Sequence, residues 1–370
     1  MIESIEVTGF KTLRQVTIPL APGITVLVGA NNSGKSNILT LLSLLYAAAR
    51  TGNLSSALDL VCGPGSALTR GGNGELKVSV RFREGGGTAS YAIGLPSLES
   101  LEYTVDGASH SARRAADGMF SFPDGGGAAG PVGVGLFNWN GQATVPAPVA
   151  ALHRALTGIV VRDLSVAALR EPSLTRPGVE LERDGRNLGA VLDDLNPDLR
   201  DLVQRDVMNA APEVKRVLAR NATQPGTKVV GVQELDGSVF AASEMSDGLV
   251  LFVGYSVSAA LAGGGASLLA LEEPERGVHP RLIRDLVDLL RNVSQQGRQV
   301  VLTTHSPELL NEFRDQPESV LILDRDESGT HVTRLADRPD WVAGLQDQPL
   351  GEIWYSGILG GVPHRGAPRR

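Results

Sequence analysis

Gly29-Ala30-Asn31-Asn32-Ser33-Gly34-Lys35-Ser36 has the spacing G-x-x-x-x-G-K-[ST]. Ahead of it, Ile24-Thr25-Val26-Leu27-Val28 is a β-branched run of the kind that fills a buried central strand. Behind it, Asn37 to Ala49 is apolar on most faces and predicts a buried helix. Strand, glycine loop and helix in that order make a cradle for phosphate. The glycines let backbone N–H groups curl around phosphate oxygens, and the helix N-terminus adds a favourable dipole. Lys35 would reach β- and γ-phosphates, and the Ser36 hydroxyl would sit on Mg²⁺.

Two more strand ends carry matching chemistry. Leu268-Leu269-Ala270-Leu271-Glu272-Glu273 is an apolar strand closed by two carboxylates. Glu272 is expected to hold the magnesium ion, directly or through water, and Glu273 to orient or deprotonate an attacking water. Two acids at a strand end can also be solvated caps. Pro274-Glu275 and Val278-His279-Pro280, directly after, argue against that here. Gln299-Val300-Val301-Leu302-Thr303-Thr304-His305-Ser306 is a further buried strand ending in a polar cluster, across a single helix. A histidine at that end, His305, can sense a γ-phosphate through a hydrogen bond. Ser243-Glu244-Met245-Ser246-Asp247-Gly248 precedes an apolar helix; alone it is a capping signal, but it lies between the phosphate loop and the carboxylate strand.

The chain has 370 residues, enough for two domains or one elaborated domain. At 42% hydrophobic and 20% charged it can bury a sizeable core, which excludes a disordered chain. The net charge of −7 speaks against gripping nucleic acid by charge alone, while leaving room for a local basic groove. Arginine outnumbers lysine 29 to 5, which reads as genome base composition rather than function. The single cysteine, Cys62, excludes a disulfide framework and a cysteine-based zinc site. Met1-Ile2-Glu3-Ser4 does not open a charged and then apolar leader, so a cytoplasmic location is expected. Leu249 to Leu271 is uncharged and about long enough to cross a bilayer. Gly263-Gly264-Gly265 would break that helix, so a buried helix, a glycine turn and a buried strand are expected instead, with no membrane partner.

The 44 glycines follow no G-x-y period and signal turns. Most of the excess lies between 50 and 150, in Gly71-Gly72, Gly85-Gly86-Gly87 and Gly125-Gly126-Gly127. Alternating runs such as Leu76-Lys77-Val78-Ser79-Val80-Arg81-Phe82 between them predict an antiparallel β lobe with hairpin tips. Residues 185–220 read as helical, on the spacing of Leu188, Val191, Leu192, Leu195, Leu199, Leu202 and Val203. Lys228 to Ala242 reads as a hairpin turning at Asp236-Gly237. Pro280 opens an amphipathic helix. There is no internal repeat and no heptad run of useful length.

The order and wording of these motifs resemble an ABC-type ATPase head of the RecF, SMC and OLD kind, within it the short bacterial AAA-family ATPases without coiled coil or TOPRIM domain. The resemblance rests on GFKTL (Gly9 to Leu13), GANNSGKSN (Gly29 to Asn37), SDG (Ser246 to Gly248), LEEPERGVHP (Leu271 to Pro280) and TTHSPELL (Thr303 to Leu310), and is weak between about 50 and 155. It implies an α/β P-loop NTPase with a mixed central sheet flanked by helices, an antiparallel β lobe and a helical signature subdomain. The implied division is 1–50 with 225–370 as a discontinuous ATPase core, 51–155 as the β insert and 156–224 as a helical lid. Implied cofactors are ATP and Mg²⁺. The implied nucleotide contacts are Gly29, Asn31, Asn32, Ser33, Gly34, Lys35, Ser36 and Asn37, with Ser246, Asp247 and Gly248 contributed by a second copy in a head-to-head homodimer. Lys35, Glu273 and His305 form the implied catalytic set; Ser36 and Glu272 form the metal set.

Two departures point away from transport ATPases: Met245-Ser246-Asp247-Gly248-Leu249 replaces L-S-G-G-Q, and Glu272 stands where Asp is usual. The Q-loop glutamine has no clear counterpart; Gln142 is a poor match. About 65 residues follow His305, too few for a TOPRIM domain as well as the closing strands of the head. The acids of Leu323-Asp324-Arg325-Asp326-Glu327 read as a strand and a solvated turn rather than a nuclease centre. Pro349 to Tyr355 reads as an aromatic patch packed on the head. The leading expectation is an ATPase that gates a separate nuclease-like effector in phage defence. The alternative is a RecF-like repair ATPase that binds DNA itself; a transporter subunit is disfavoured.

Overall fold

The computed structural model describes residues 1–63, 66–70, 72, 74–95, 98–113, 146–344 and 348–362. Gly125-Gly126-Gly127 and Gln142 lie outside them.

The chain opens with the hairpin β1 (Ile2–Phe10) and β2 (Leu13–Pro19), then β3 (Ile24–Gly29), α1 (Lys35–Thr51) and α2 (Leu54–Cys62). Four strands follow: β4 (Leu76–Glu84), β5 (Gly87–Leu95), β6 (Leu98–Val105) and β7 (Ala108–Arg113). Each pairs antiparallel with the next. Gly85 and Gly86 form the β4–β5 tip at φ 54° and 84°, a turn that favours glycine. The meander is continuous with the start of the chain, because β4 pairs with β1 in one six-stranded sheet, β2-β1-β4-β5-β6-β7.

Next come α3 (Ala147–Thr157), β8 (Ile159–Arg162), α4 (Val166–Leu169), β9 (Ser173–Leu174), α5 (Leu188–Asp194) and α6 (Pro197–Ala210). A small sheet is built from β9, β10 (Val214–Asn221), β11 (Thr227–Glu234) and β12 (Val239–Ala241). The helical reading of 185–220 thus holds only as far as Ala210. Val214 and Val217 are buried three residues apart because a register shift between Val214 and Arg216 breaks the two-residue period of the strand. A bulge of that kind imitates helical spacing.

The remainder is α7 (Asp247–Gly263), β13 (Leu268–Leu271), α8 (Pro280–Gln295), β14 (Gln299–Thr304), α9 (Pro307–Asn311), β15 (Val320–Asp326), β16 (Gly329–Arg334), α10 (Pro339–Gly344) and α11 (Leu350–Tyr355). Among the described residues no helix is long and apolar enough to cross a membrane. The uncharged stretch is α7, the glycine turn and β13. α7 is apolar nearly all round and is buried nearly all round. Its two serines are satisfied internally: Ser256 donates to the Phe252 carbonyl and Ser258 to the Gly254 carbonyl. Leu350, Ile353 and Trp354 of α11 pack inward against α9, while Tyr355 is exposed.

The central sheet runs β16-β15-β3-β14-β13-β8. It is mixed: all its pairings are parallel except β15 with β16. Every residue of β3, β13 and β14 is buried, since both faces of the sheet are covered. The alternation is visible in the packing. Val26, Val28, Leu269, Leu271, Val300 and Leu302 face a core shared with α7 and α8. Leu27, Leu268, Ala270 and Val301 face one shared with α1 and the six-stranded sheet. The two sheets are tied by Gln299, 4% exposed, which accepts from the Ile2 N–H at 2.8 Å and donates to the carbonyls of Ile2 and Ala21.

Candidate functional site

The carboxyl ends of β3, β13 and β14 bring the three sequence motifs to one edge of the central sheet. A cavity of about 470 Å³ there is lined by Asn31, Asn32, Gly34, Lys35, Ser36 and Asn37, with Glu273 and His305 opposite and Thr12 and Arg325 at the sides. Two glycines of the loop are there for lack of room. A Cβ at Gly29 would stand 2.4 Å from the Leu323 carbonyl oxygen, and one at Gly34 2.4 Å from Thr330 Oγ1. Gly34 also sits at φ 113°. Ser33 is 2% exposed, and its hydroxyl has no partner among the described residues.

Lys35, 5% exposed, folds back over the loop and donates to the carbonyls of Gly29 at 2.7 Å and Ala30 at 3.0 Å. Burial lowers its pKa from 10.5 to about 8, against the pull of Glu273, Glu275 and Glu272. The next residue, Ser36, donates to Glu272 Oε1 at 2.5 Å. The other carboxylate oxygen of Glu272 meets Arg183 Nη2 at 3.3 Å.

Glu273 adopts φ 40°, unusual for a residue with a side chain and worth about 1–3 kcal/mol of strain. Its N–H donates to Thr303 Oγ1 at 3.0 Å, so β14 helps to hold the turn. The carboxylate is gripped from both sides, by Arg276 at 2.6 Å and by His305 Nε2 at 3.1 Å. Burial pushes its pKa up, but Arg276, His305 and Lys35 together outweigh that and hold it below the usual range. Burial, then Lys35, pushes His305 below its ordinary value, with Glu273 opposing. Glu275 is a strut: its Oε1 accepts from Thr304 Oγ1 at 2.8 Å and from the His305 N–H at 2.9 Å. Burial raises its pKa.

Ser246, Asp247 and Gly248 do not line this cavity. Ser246 caps α7 by accepting from the Leu249 N–H. Arg170 fixes the segment, donating to the carbonyls of Ala242 and Met245 and to Asp247 at 2.8 Å. Ser246 and Asp247 are exposed; Gly248 is buried against 277–279.

Residues 156–311 match a family model described as "AAA domain, putative AbiEii toxin, Type IV TA system". Residues 1–78 match a second, described as "AAA ATPase domain". In fold the chain is similar to an SMC head solved bound to the C-winged helix domain of ScpA (TM-score 0.51, 15% identity, covering 90% of this chain and 96% of that one). It is equally similar to an SMC head with an extended coiled coil bound to the C-terminal domain of ScpA derived from Pyrococcus furiosus (TM-score 0.51, 13% identity, 94% and 99%). The chain has the fold of an ATPase head of this kind, and models of AAA ATPase domains match two of its segments. No curated protein sequence matches it.

The head's donors suit a nucleotide with magnesium. A hydroxyl and a carboxylate, Ser36 and Glu272, stand together beside a loop of backbone N–H groups, and Mg²⁺ is held by few protein oxygens plus phosphate. Among the described residues no three His, Cys, Asp or Glu side chains group together. Asp326 is tied to Ser328 and His331. Sequence reasoning assigned nothing to Arg170, Arg183, Arg276, Glu275 or Thr303. Glu275 and Arg276 could have been found from their place directly after the paired acids. Arg170 and Arg183 carry no local signal.

Proposed function

We propose that this head dimerises head to head when it binds ATP, and that the dimer gates a DNA-directed activity carried by a separate, nuclease-like effector in anti-phage defence. The observation that carries the reading is the signature segment: Ser246 to Gly248 is rigidly set by Arg170, partly exposed, and apart from the chain's own phosphate cavity. Such a segment is built to complete a site on a second copy, and an isologous contact repeats it twice. The wording of the family description supports a defence role. The net charge of −7 favours an effector that is a separate protein over DNA binding by this chain.

Within the site, backbone N–H groups from Gly29 to Asn37 and the Lys35 ammonium bind and orient the phosphates. Bound magnesium would neutralise phosphate charge at Ser36 and Glu272. Glu273 orients a water and accepts its proton, held in position by Arg276 and His305. Ser246, Asp247 and Gly248 act on the partner copy's nucleotide. The reading divides the chain into a core of 1–50 and 225–370, an insert of 51–155 and a mostly helical lid of 156–224 from which β8 (Ile159–Arg162) returns to the core sheet, working in the cytoplasm.

Mixing two inactive variants tests it. Lys35→Ala kills one loop and Ser246→Arg kills one signature. In a mixed dimer the two defects fall on the same composite site and the other site is intact. Recovery of up to about a quarter of wild-type turnover on mixing is expected. No recovery would mean that the signature does not act across a dimer.

A further inference from the structure

The hairpin of β15 and β16 packs on the phosphate loop. β15 pairs parallel with β3, and Leu323 stands opposite Gly29, the first residue of the loop. Past Leu323 the strand therefore runs out over the same sheet edge as the loop. Leu321 and Leu323 face the core shared with α1. The two-residue period of a strand carries Arg325 to that same face, on the side of the loop. Thr330, opposite Arg325 in the hairpin and 2% exposed, locks the contact. Its N–H donates to the Thr12 carbonyl at 2.9 Å and its hydroxyl to Thr12 Oγ1 at 2.9 Å. The Asn37 amide donates to the same Thr12 hydroxyl at 2.7 Å. Asp326 closes the turn, accepting from the Ser328 N–H at 2.7 Å and the Ser328 hydroxyl at 2.6 Å, and lies 3.0 Å from His331 Nε2.

Arg325 lines the phosphate cavity together with Lys35, Glu273 and His305. It is exposed, and its guanidinium makes one hydrogen bond, from Nη1 to the Asn32 carbonyl at 3.3 Å. A guanidinium carries five N–H donors in a fixed fork, and the others have no partner among the described residues. Nor does it make an ion pair there, since the neighbouring Asp326 is taken up by Ser328 and His331. A phosphate chain has use for such a cation. Lys35 is a single point charge, and the ionised Glu273 in the same cavity repels an anion.

We propose that Arg325 is a second phosphate-binding cation of the ATP site and that it selects ATP over ADP. One N–H keeps the Asn32 carbonyl, and the free edge of the fork meets oxygens of the terminal phosphate. Glu273 and His305, which act at that phosphate, line the same cavity. The terminal phosphate brings negative charge beside Glu273, and Arg325 offsets the repulsion. ADP lacks that charge and gains less. The hairpin belongs to the same chain as the loop, so the selection operates in the monomer, before a second copy arrives. The inference rests on the reading of this cavity as the ATP site, and is independent of dimerisation and of an effector.

The full chain is titrated calorimetrically with magnesium and either ADP or AMP-PNP, an ATP analogue that resists hydrolysis. Arg325→Gln is expected to weaken AMP-PNP binding by about tenfold or more and ADP binding by no more than about twofold. Arg325→Lys keeps the charge without the fork and should recover part of the loss. Added salt should weaken AMP-PNP binding less in Arg325→Gln than in the wild-type head. Arg325 is exposed, so the urea midpoint of the variant should stay at the wild-type value. Equal weakening of both nucleotides would make Arg325 a brace for the loop at Asn32 and overturn the proposal. Unchanged AMP-PNP binding would overturn it too. Lys35→Ala is the reference and should lose both nucleotides. If Lys35→Ala binds both as the wild type does, the cavity is not the ATP site. If it loses both while Arg325→Gln loses neither, Arg325 alone is refuted.

Discussion

The Glu273 carboxylate and the His305 imidazole meet at 3.1 Å, with Arg276 on the other carboxylate oxygen. The carboxyl is held below its usual pKa and is ionised at neutral pH, so it accepts, and the shared proton sits on His305 Nε2. Burial and Lys35 keep His305 neutral there. Glu273 is thereby fixed as a charged acceptor. Glu273→Gln preserves shape and removes the charge. Turnover should fall by about 10²-fold or more while ATP binding persists. Phosphate release measured beside nucleotide binding checks it; turnover within a few-fold of wild type would remove Glu273 from the chemistry.

Lys35 sets a pH limit on binding. In the nucleotide-free head it loses its proton as pH rises through about 8. Phosphate prefers the ammonium, so ATP affinity should hold below pH 8 and fall above it, with a proton taken up on binding at pH 9. Calorimetric titration in two buffers of different ionisation enthalpy measures that uptake. Stability moves the opposite way. The unfolded chain holds this proton up to about 10.5, so from about pH 8 to 10.5 Lys35 makes the free head more stable as pH rises. Lys35→Met should flatten both trends.

The residues legible in the sequence are those whose position in the chain is itself the chemistry. Gly29, Gly34, Lys35 and Ser36 are contiguous because one loop wraps one phosphate chain, and Glu272 and Glu273 end one strand. Arg170 and Arg183 were invisible for the opposite reason. They act on Asp247 and Glu272, 77 and 89 residues away in sequence, and in a chain with 29 arginines no single one stands out. The alternation of β4 was readable, but its pairing with β1 was not, since register is a tertiary property. The strand β10 is hard to read because its bulge puts Val214 and Val217 at a spacing a helix also uses.

Arg170 is the test of signature geometry. It donates to two carbonyls and one carboxylate around Met245 to Asp247 and is itself only partly exposed. Arg170→Ala removes all three bonds and should cost about 2–3 kcal/mol of stability, read by urea denaturation. It leaves the phosphate cavity of its own chain untouched. ATP binding to the monomer should therefore survive while ATP-dependent dimerisation and turnover fail. Loss of monomer binding as well would mean that Arg170 supports the whole fold rather than the signature segment.

Gln299 tests whether the two sheets act as one body. Its amide satisfies the Ile2 N–H and the carbonyls of Ile2 and Ala21, all at the seam between β1 and β14. Backbone groups buried without partners cost about 1–3 kcal/mol each, less what water or local shifts recover. Gln299→Met fills the space without replacing any of these bonds. A loss of about 3 kcal/mol in the urea midpoint analysis is expected. Gln299 is far along β14 from Thr303 and His305, so ATP affinity at low temperature should not change. The seam should open first: amides of β1 should exchange faster than those of β3 in the variant, whereas in the wild-type head both are protected. Equal exchange in the two strands would show that apolar packing around α1, not this amide, joins the sheets.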